Sequence, residues 1–306
     1  MKFFRYIKQV VKEFSADNIF KYSASLAYYT VFSIAPFLLI IISLSGLFFG
    51  KEAVQGQVYD QLNNLIGSVA AIQIQDTIKN IHLTGNSFFA SVVSIIILLV
   101  GATTIFGEIQ DSLNKIWGLR IKARRVWWQL IITRLLSFSL IISIGFILMA
   151  TLLLNAAVAA FGTFIAKYIS TYSIYIIEIA ENALSFIVSA FLFSLVFKIL
   201  PDAHIKWKDV FLGGVVTAVF FTLGKIGISF YLKASNLTSL YGAAGSIIIL
   251  MIWVYYSSII LYLGAEFTKV HSKLYGGNIS PNEYAEWVEI DEKEVSSPQL
   301  KNKELL

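Results

Sequence analysis

Apolar residues in this chain gather into six long runs separated by polar stretches. They are Leu26–Phe49, Phe88–Phe106, Leu130–Phe161, Ala183–Leu200, Val210–Tyr231 and Ala243–Leu263. A helix needs about 20 mainly apolar residues to cross a hydrocarbon core about 30 Å thick. The pattern therefore predicts an all-α, polytopic membrane protein with six transmembrane helices. The third run is long, so it is expected to tilt or to end near Asn155. The fourth is short and is expected to extend upstream into Tyr172–Ile179, which brings Glu178 to the membrane edge.

The segments between the runs have patterns of their own. In residues 1–23, Phe3, Phe4, Ile7, Val10, Val11 and Phe14 recur at helical spacing among Lys and Arg, as in an amphipathic helix lying on a membrane surface. No uninterrupted 7–15-residue apolar core of a signal peptide occurs there. In the loop 51–87, Val58, Leu62, Leu65, Ile66 and Val69 mark a second helix with one apolar stripe. It is read as covering the bundle mouth, lying on lipid, or filling space between helices. The chain thus divides into an N-terminal helix (1–23), a six-helix domain with a helical outer loop (24–270), and a polar, acidic tail (271–306). The tail is expected to be disordered after about Glu289.

Charge gives the runs a direction. With the N-terminus inside, the inner segments carry Lys2, Arg5, Lys8, Lys12, Lys21, Lys115, Arg120, Lys122, Arg124, Arg125, Lys206, Lys208, Lys269 and Lys273. The outer loops carry only Lys51, Lys79, Lys167 and Lys233. Positive charge concentrates in cytoplasmic loops, so both termini are expected in the cytoplasm. Trp127, Trp128, Tyr168, Tyr172, Tyr175 and Trp207 flank the runs, where amphipathic rings favour the headgroup level.

Composition narrows the class further. Of 306 residues, 57% are hydrophobic and 14% charged, with mean hydropathy +0.72. An average soluble domain has about 25% charged residues, so an ordinary soluble enzyme is not expected. There is no cysteine, hence no disulfide, thiolate metal site or Cys nucleophile, and no reading of redox compartment. The net charge of +5 fits loops facing an anionic leaflet better than a nucleic-acid partner, and the basic residues 120–125 are read the same way.

Covalent chemistry finds little support. His82 falls outside, and His204 and His271 inside, so they cannot share a metal. No HExxH or GxSxG motif is present. Gly224-Lys225 resembles the end of a phosphate loop, but Ile226 and Val219 stand where Ser or Thr and a glycine are needed. No catalytic residue, metal or cofactor is expected.

Candidate site residues are those that sit uneasily in lipid. Lys225 lies within the fifth run, and an unpaired ammonium there costs a few kcal/mol. It either snorkels outward or faces the interior and pairs with Glu178 or Glu181, where it would attract an anion. Pro36 breaks the first run, and freed carbonyls beside it, with Tyr28, Tyr29, Thr30 and Ser33 nearby, suit a binding cavity or a plain kink. Glu108, Arg134, Lys198 and Glu266 lie at the inner ends of their runs and form either an inner polar layer or interfacial ion pairs. Asn155 could bond between helices, and Gly213, Gly214, Gly224 and Gly227 permit close helix approach. No internal repeat is evident.

Several motifs together resemble the YihY/virulence factor BrkB family. They are Ser23-Ala24-Ser25-Leu26-Ala27-Tyr28-Tyr29-Thr30-Val31-Phe32-Ser33-Ile34-Ala35-Pro36, Gly46-Leu47-Phe48-Phe49-Gly50, Asn114-Lys115-Ile116-Trp117-Gly118, Leu200-Pro201-Asp202, Tyr241-Gly242-Ala243-Ala244-Gly245-Ser246 and Gly264-Ala265-Glu266-Phe267. The resemblance covers about residues 10–275 and departs only in the acidic tail. It implies a bacterial inner-membrane protein with six helices, of a kind described as transporters. The ribonuclease BN label attached to some members has no hydrolase site here to support it.

The expected function is a permease for a small or amphiphilic solute, with Tyr28, Tyr29, Ser33, Pro36 and Lys225 at the solute and Glu266 steadying the inner end. The alternative is a non-transporting envelope scaffold that binds lipid or protein. Membrane lipids and an unidentified solute are the expected partners, nucleic acid is not, and the sequence leaves homo-oligomerisation open.

Overall fold

A computed structural model describes residues 2–33, 88–122, 135, 139, 143, 173–234, 244–275 and 279–288. The third run (apart from three helical positions), the 58–69 stripe, Pro36, Arg134 and Asn155 lie outside these residues, as do the side chains of Glu178, Glu181 and Lys225.

The described chain is mostly helical. Helix α1 spans Lys2–Ala16, and α2 is helical over its described part, 19–33. Helix α3 is Phe88–Ile116, followed by strand β1, Leu119–Ile121. Helix α4 is Ser173–Ile199 and strand β2 Ala203–His204. Helices α5 and α6 are Trp207–Ala234 and Ala244–Tyr275. Strands β3, Ser280–Pro281, and β4, Ala285–Trp287, close the described chain. Among the described residues, three stretches are long and apolar enough to cross a membrane: Asn182–Ile199, Trp207–Gly224 and Ile247–Tyr275.

The breaks follow local chemistry. The single N-terminal helix expected over 1–23 is divided at Asp17-Asn18. Asn18 adopts φ 52°, a left-handed conformation that Asn tolerates better than most residues. Its carbonyl then accepts from Lys21 N at 2.9 Å, starting α2 in a new direction. Helix α3 stops at a left-handed glycine, Gly118 with φ 68°, the usual terminator just past a helix end. Pro201 ends α4, because the residue before a proline is disfavoured in helical conformation. The upstream extension expected for the fourth run is present in α4.

Helices α4, α5 and α6 pack in sequence order, α5 lying between the other two. The α5–α6 seam is built on two Gly-x-x-x-Thr stretches running in opposite directions, Gly213 to Thr217 and Gly264 to Thr268. A Cβ at Gly213 would collide with Thr268, and one at Gly264 with Thr217. Each threonine hydroxyl donates to the glycine carbonyl one turn back, Thr217 to Gly213 at 2.7 Å and Thr268 to Gly264 at 2.8 Å. The hydroxyls are thereby satisfied while the side chains fill the facing notches. Gly214 is closed in the same way by Ser194 of α4, and Gly224 by Tyr256 of α6. Apolar helix faces gain no hydrophobic drive from association in lipid, so close backbone approach of this kind supplies the attraction.

Among the described residues, the core gathers at one end of the bundle. Ile19, Leu113, Ile116, Trp117, Phe197, Leu200, Val210, Tyr262 and Ala265 form one buried cluster from α2 to α6. That end is clipped by the residues after α6. Strand β4 pairs antiparallel with β1, Leu119 facing Trp287 and Ile121 facing Ala285. Strand β3 pairs with β2, Ala203 facing Pro281. The polar tail expected from His271 onward therefore begins as the last turn of α6, and its residues 279–288 are folded onto the loops after α3 and α4.

Candidate functional site

Among the described residues, a buried charged cluster joins α1 to α6. Tyr6 and Val10 of α1 are buried against Val270. The Tyr6 hydroxyl donates to the Phe267 carbonyl at 3.1 Å, and the two rings meet edge to face at 5.0 Å. Burial, and then Tyr275 nearby, raise the Tyr6 pKa above its ordinary value, which keeps the phenol neutral as a donor. One and two turns further along, Glu13 and Asp17 reach the same face of α6.

There Lys269 is the hub. Its Nζ lies 2.7 Å from Asp17 Oδ2, 2.8 Å from Glu13 Oε2 and 3.4 Å from Glu266 Oε2. Oxygens of the three carboxylates lie within 4.8 Å of one another. They converge as ligands around a cation would, and the cation they receive is the Lys269 ammonium. The Glu266 carboxyl is fully buried, with Lys269 and Asp17 beside it. Burial pulls the Glu13 pKa up, but the hydrogen bond and charge of Lys269, aided by Lys273, outweigh it and hold the carboxyl below its ordinary value of 4.5. Three carboxyl groups thus share one ammonium in a poorly solvated place, where an unmatched ion costs several kcal/mol.

A second buried polar group centres on Asp202, which is 1% exposed. Gln110 Nε2 donates to Asp202 Oδ1 at 3.0 Å and Asn114 Nδ2 to Oδ2 at 2.7 Å. Asp202 N donates back to Asn114 Oδ1 at 2.9 Å, and Asn282 N to the Asp202 carbonyl at 3.0 Å. Three turns of chain are thus locked together. Close by, Trp117 Nε1 donates to the Ala265 carbonyl at 3.1 Å, one residue before Glu266. Beside this lies an open cavity of about 380 Å³, with Asp111, Asn114, Lys115 and Arg120 among its lining residues.

The residues singled out in the sequence separate into different environments. Tyr28 and Tyr29 are exposed on α2 and stack edge to face at 5.6 Å, whereas Ser33 is buried. Pro36, Arg134 and the Lys225 side chain lie outside the described residues. Glu108 is half-buried on α3. Lys198 donates to the Ile205 carbonyl and lies 5.7 Å from the centre of the Trp207 ring. Among the described candidates only Glu266 enters the charged group, and its partners Glu13, Asp17 and Lys269 are not among the sequence candidates. The available signal was an (i, i+3) acid–base pair, Glu266 and Lys269, following an apolar run, and two acids in an otherwise basic N-terminal helix.

A family profile described as Virulence factor BrkB matches residues 10–285. The chain is 25% identical to a UPF0761 membrane protein of Pseudoalteromonas atlantica, over 96% of this chain and 93% of that one. It is 24% identical to one of Alteromonas mediterranea, over 84% of each chain. A third, from Vibrio vulnificus, is 27% identical over 86% of this chain and 81% of its own. No solved structure matches the chain.

Proposed function

The chain belongs to the virulence factor BrkB family, a membrane protein among membrane proteins, and from that premise we propose a six-span permease of the bacterial cytoplasmic membrane with both termini in the cytoplasm. Its substrate is a small or amphiphilic solute. The supporting observation is the buried group of Glu13, Asp17, Glu266 and Lys269. Ionisable side chains are costly to bury, and a buried, paired group at the end of a spanning helix is a candidate for function. Here the group joins the last candidate span to the N-terminal helix α1, a junction through which a shift of α6 would be felt.

In this reading Lys225 holds an anionic part of the solute, Pro36 shapes the cavity with Tyr28, Tyr29 and Ser33, and Glu266 steadies the inner end. The proposal includes no catalytic step and no nucleic-acid partner. The positive-inside distribution and the three candidate spans support the topology.

Solute flux in reconstituted vesicles tests it, comparing native protein with Lys225→Ala and Glu266→Gln. Flux of a tested lipid, ion or metabolite that falls about tenfold in a monodisperse variant (about 1.4 kcal/mol) supports a permease. Absence of flux from the native protein across the same panel favours the second reading, a non-transporting scaffold. The tight closure of Gly213, Gly214, Gly224 and Gly264 is the observation on that side, since interlocked helices leave little room for passage.

A further inference from the structure

Helix α1 has a face that the protein does not cover. Tyr6, Val10 and Glu13 point to α6, and Asp17 beyond it joins them. At about 100° per residue, Phe4, Ile7 and Val11 fall within an arc of about 60° beside that packed side. All three are exposed, Phe4 at 78% and Val11 at 56%. On the far side of the arc, Arg5, Lys8 and Lys12 follow, also exposed, and Lys21 lies beyond the break. The order around the helix is packed face, apolar strip, basic strip.

The charge on this surface is one-sided for a structural reason. The only acids in residues 1–33 are Glu13 and Asp17. Both are bound to Lys269, so the outward side presents positive charge alone. Position adds a second constraint. Helix α6 has 32 residues, about 48 Å at 1.5 Å per residue, and a hydrocarbon core is about 30 Å thick. Its last turns must leave the core, and those turns are where α1 lies.

From this arrangement we propose that α1 is a docking helix for the anionic lipid surface of the protein's own membrane. Phe4, Ile7 and Val11 enter the boundary between headgroups and acyl chains, while Arg5, Lys8 and Lys12 meet lipid phosphates. A strip of three apolar side chains contributes modestly by itself, and each basic residue near an anionic surface adds an electrostatic attraction. Neither signal suffices alone, and together they hold the helix against the bilayer. The Lys269 group sets its azimuth: by tying Glu13 and Asp17 inward it turns the apolar strip to lipid and the basic strip to headgroups. This inference does not depend on transport.

The chain has no cysteine, so single labels can be placed cleanly. The full chain carrying Phe4→Cys, Val11→Cys, Lys8→Cys or Lys12→Cys is labelled with a fluorophore and placed in nanodiscs. One set contains phosphatidylcholine only, the other phosphatidylcholine with about one quarter phosphatidylglycerol. In the anionic discs, labels at 4 and 11 should be quenched by a lipid-borne quencher. They should also be shielded from an aqueous quencher at least about threefold more than labels at 8 and 12. That contrast should shrink in neutral discs and at high salt. Equal aqueous access at all four positions overturns the proposal. So does an unchanged contrast in neutral discs, which would remove the role of charge. Label–label coupling between molecules at position 4 would assign the strip to a second copy instead and equally overturn it.

Discussion

At the scale of single residues, Lys269 decides whether α1 stays attached. Removing the ammonium leaves Glu13 and Asp17 without their cation, and breaking a buried pair in this way costs about 3–5 kcal/mol. Lys269→Met should therefore lower the thermal midpoint in detergent and expose the α1 amides to hydrogen exchange. A variant with native midpoint and native protection of α1 would show that the group carries no structural weight. The pH response of the same site has a definite sign. The Glu13 carboxyl is held below 4.5 by Lys269 despite the opposing effect of burial. A depressed carboxyl stabilises the folded state fully above its unfolded pKa, and that contribution is lost as pH falls through the folded value. Through Glu13, attachment of α1 should thus be at its full strength above about 4.5 and weaken as pH falls below that value. Limited proteolysis across that range reads it, and Glu13→Gln should flatten the response.

At the scale of elements, the α5–α6 seam is specified by where side chains are missing. Valine at 264 would meet Thr217 Oγ1 directly and Phe197 Cζ at 3.2 Å. Overpacking of this kind costs about 1–3 kcal/mol. Gly264→Val should lower thermal stability by an amount in that range. In a smaller series, Thr217→Ala should return part of what Gly264→Ala loses, because it empties the notch that the new methyl enters. Additive losses in that double-variant cycle would mean that the two residues do not meet. The strands operate on a different principle. Residues 279–288 are too short to be stable alone, yet β3 and β4 each complete a two-stranded pair with a loop already pinned by Asp202 or by Gly118.

At the scale of the whole molecule, the expectation is that six crossings return the chain to its starting side. Single cysteines introduced before α1 and after residue 288 should both resist a membrane-impermeant reagent added outside intact cells and react once the membrane is opened. Labelling of one end alone from outside would contradict an even number of spans. Much of the architecture was legible from apolar run length, since a bilayer demands a long apolar helix whatever its neighbours do. The starts of α3 and α6, and the upstream reach of α4, follow from it directly. The helical overruns past Phe106 and Leu263 were not legible, because those extensions are amphipathic and find their apolar partners in the clipped end of the bundle.

The division between sequence and tertiary structure falls between pattern and partner. By itself the sequence determined that this is a helical membrane protein, which of its termini and loops are basic, and where its glycines permit close contact. These are properties of spacing and composition, and they act locally or against the solvent. Only the folded chain decided that Asp17 would meet Lys269 across 252 residues, or that Asn114, Trp117, Asp202 and Ala265 would converge at one end. A charged residue's type states that it needs a counter-charge but not which one, because pairing depends on the distance and depth set by helices packed far apart in the chain.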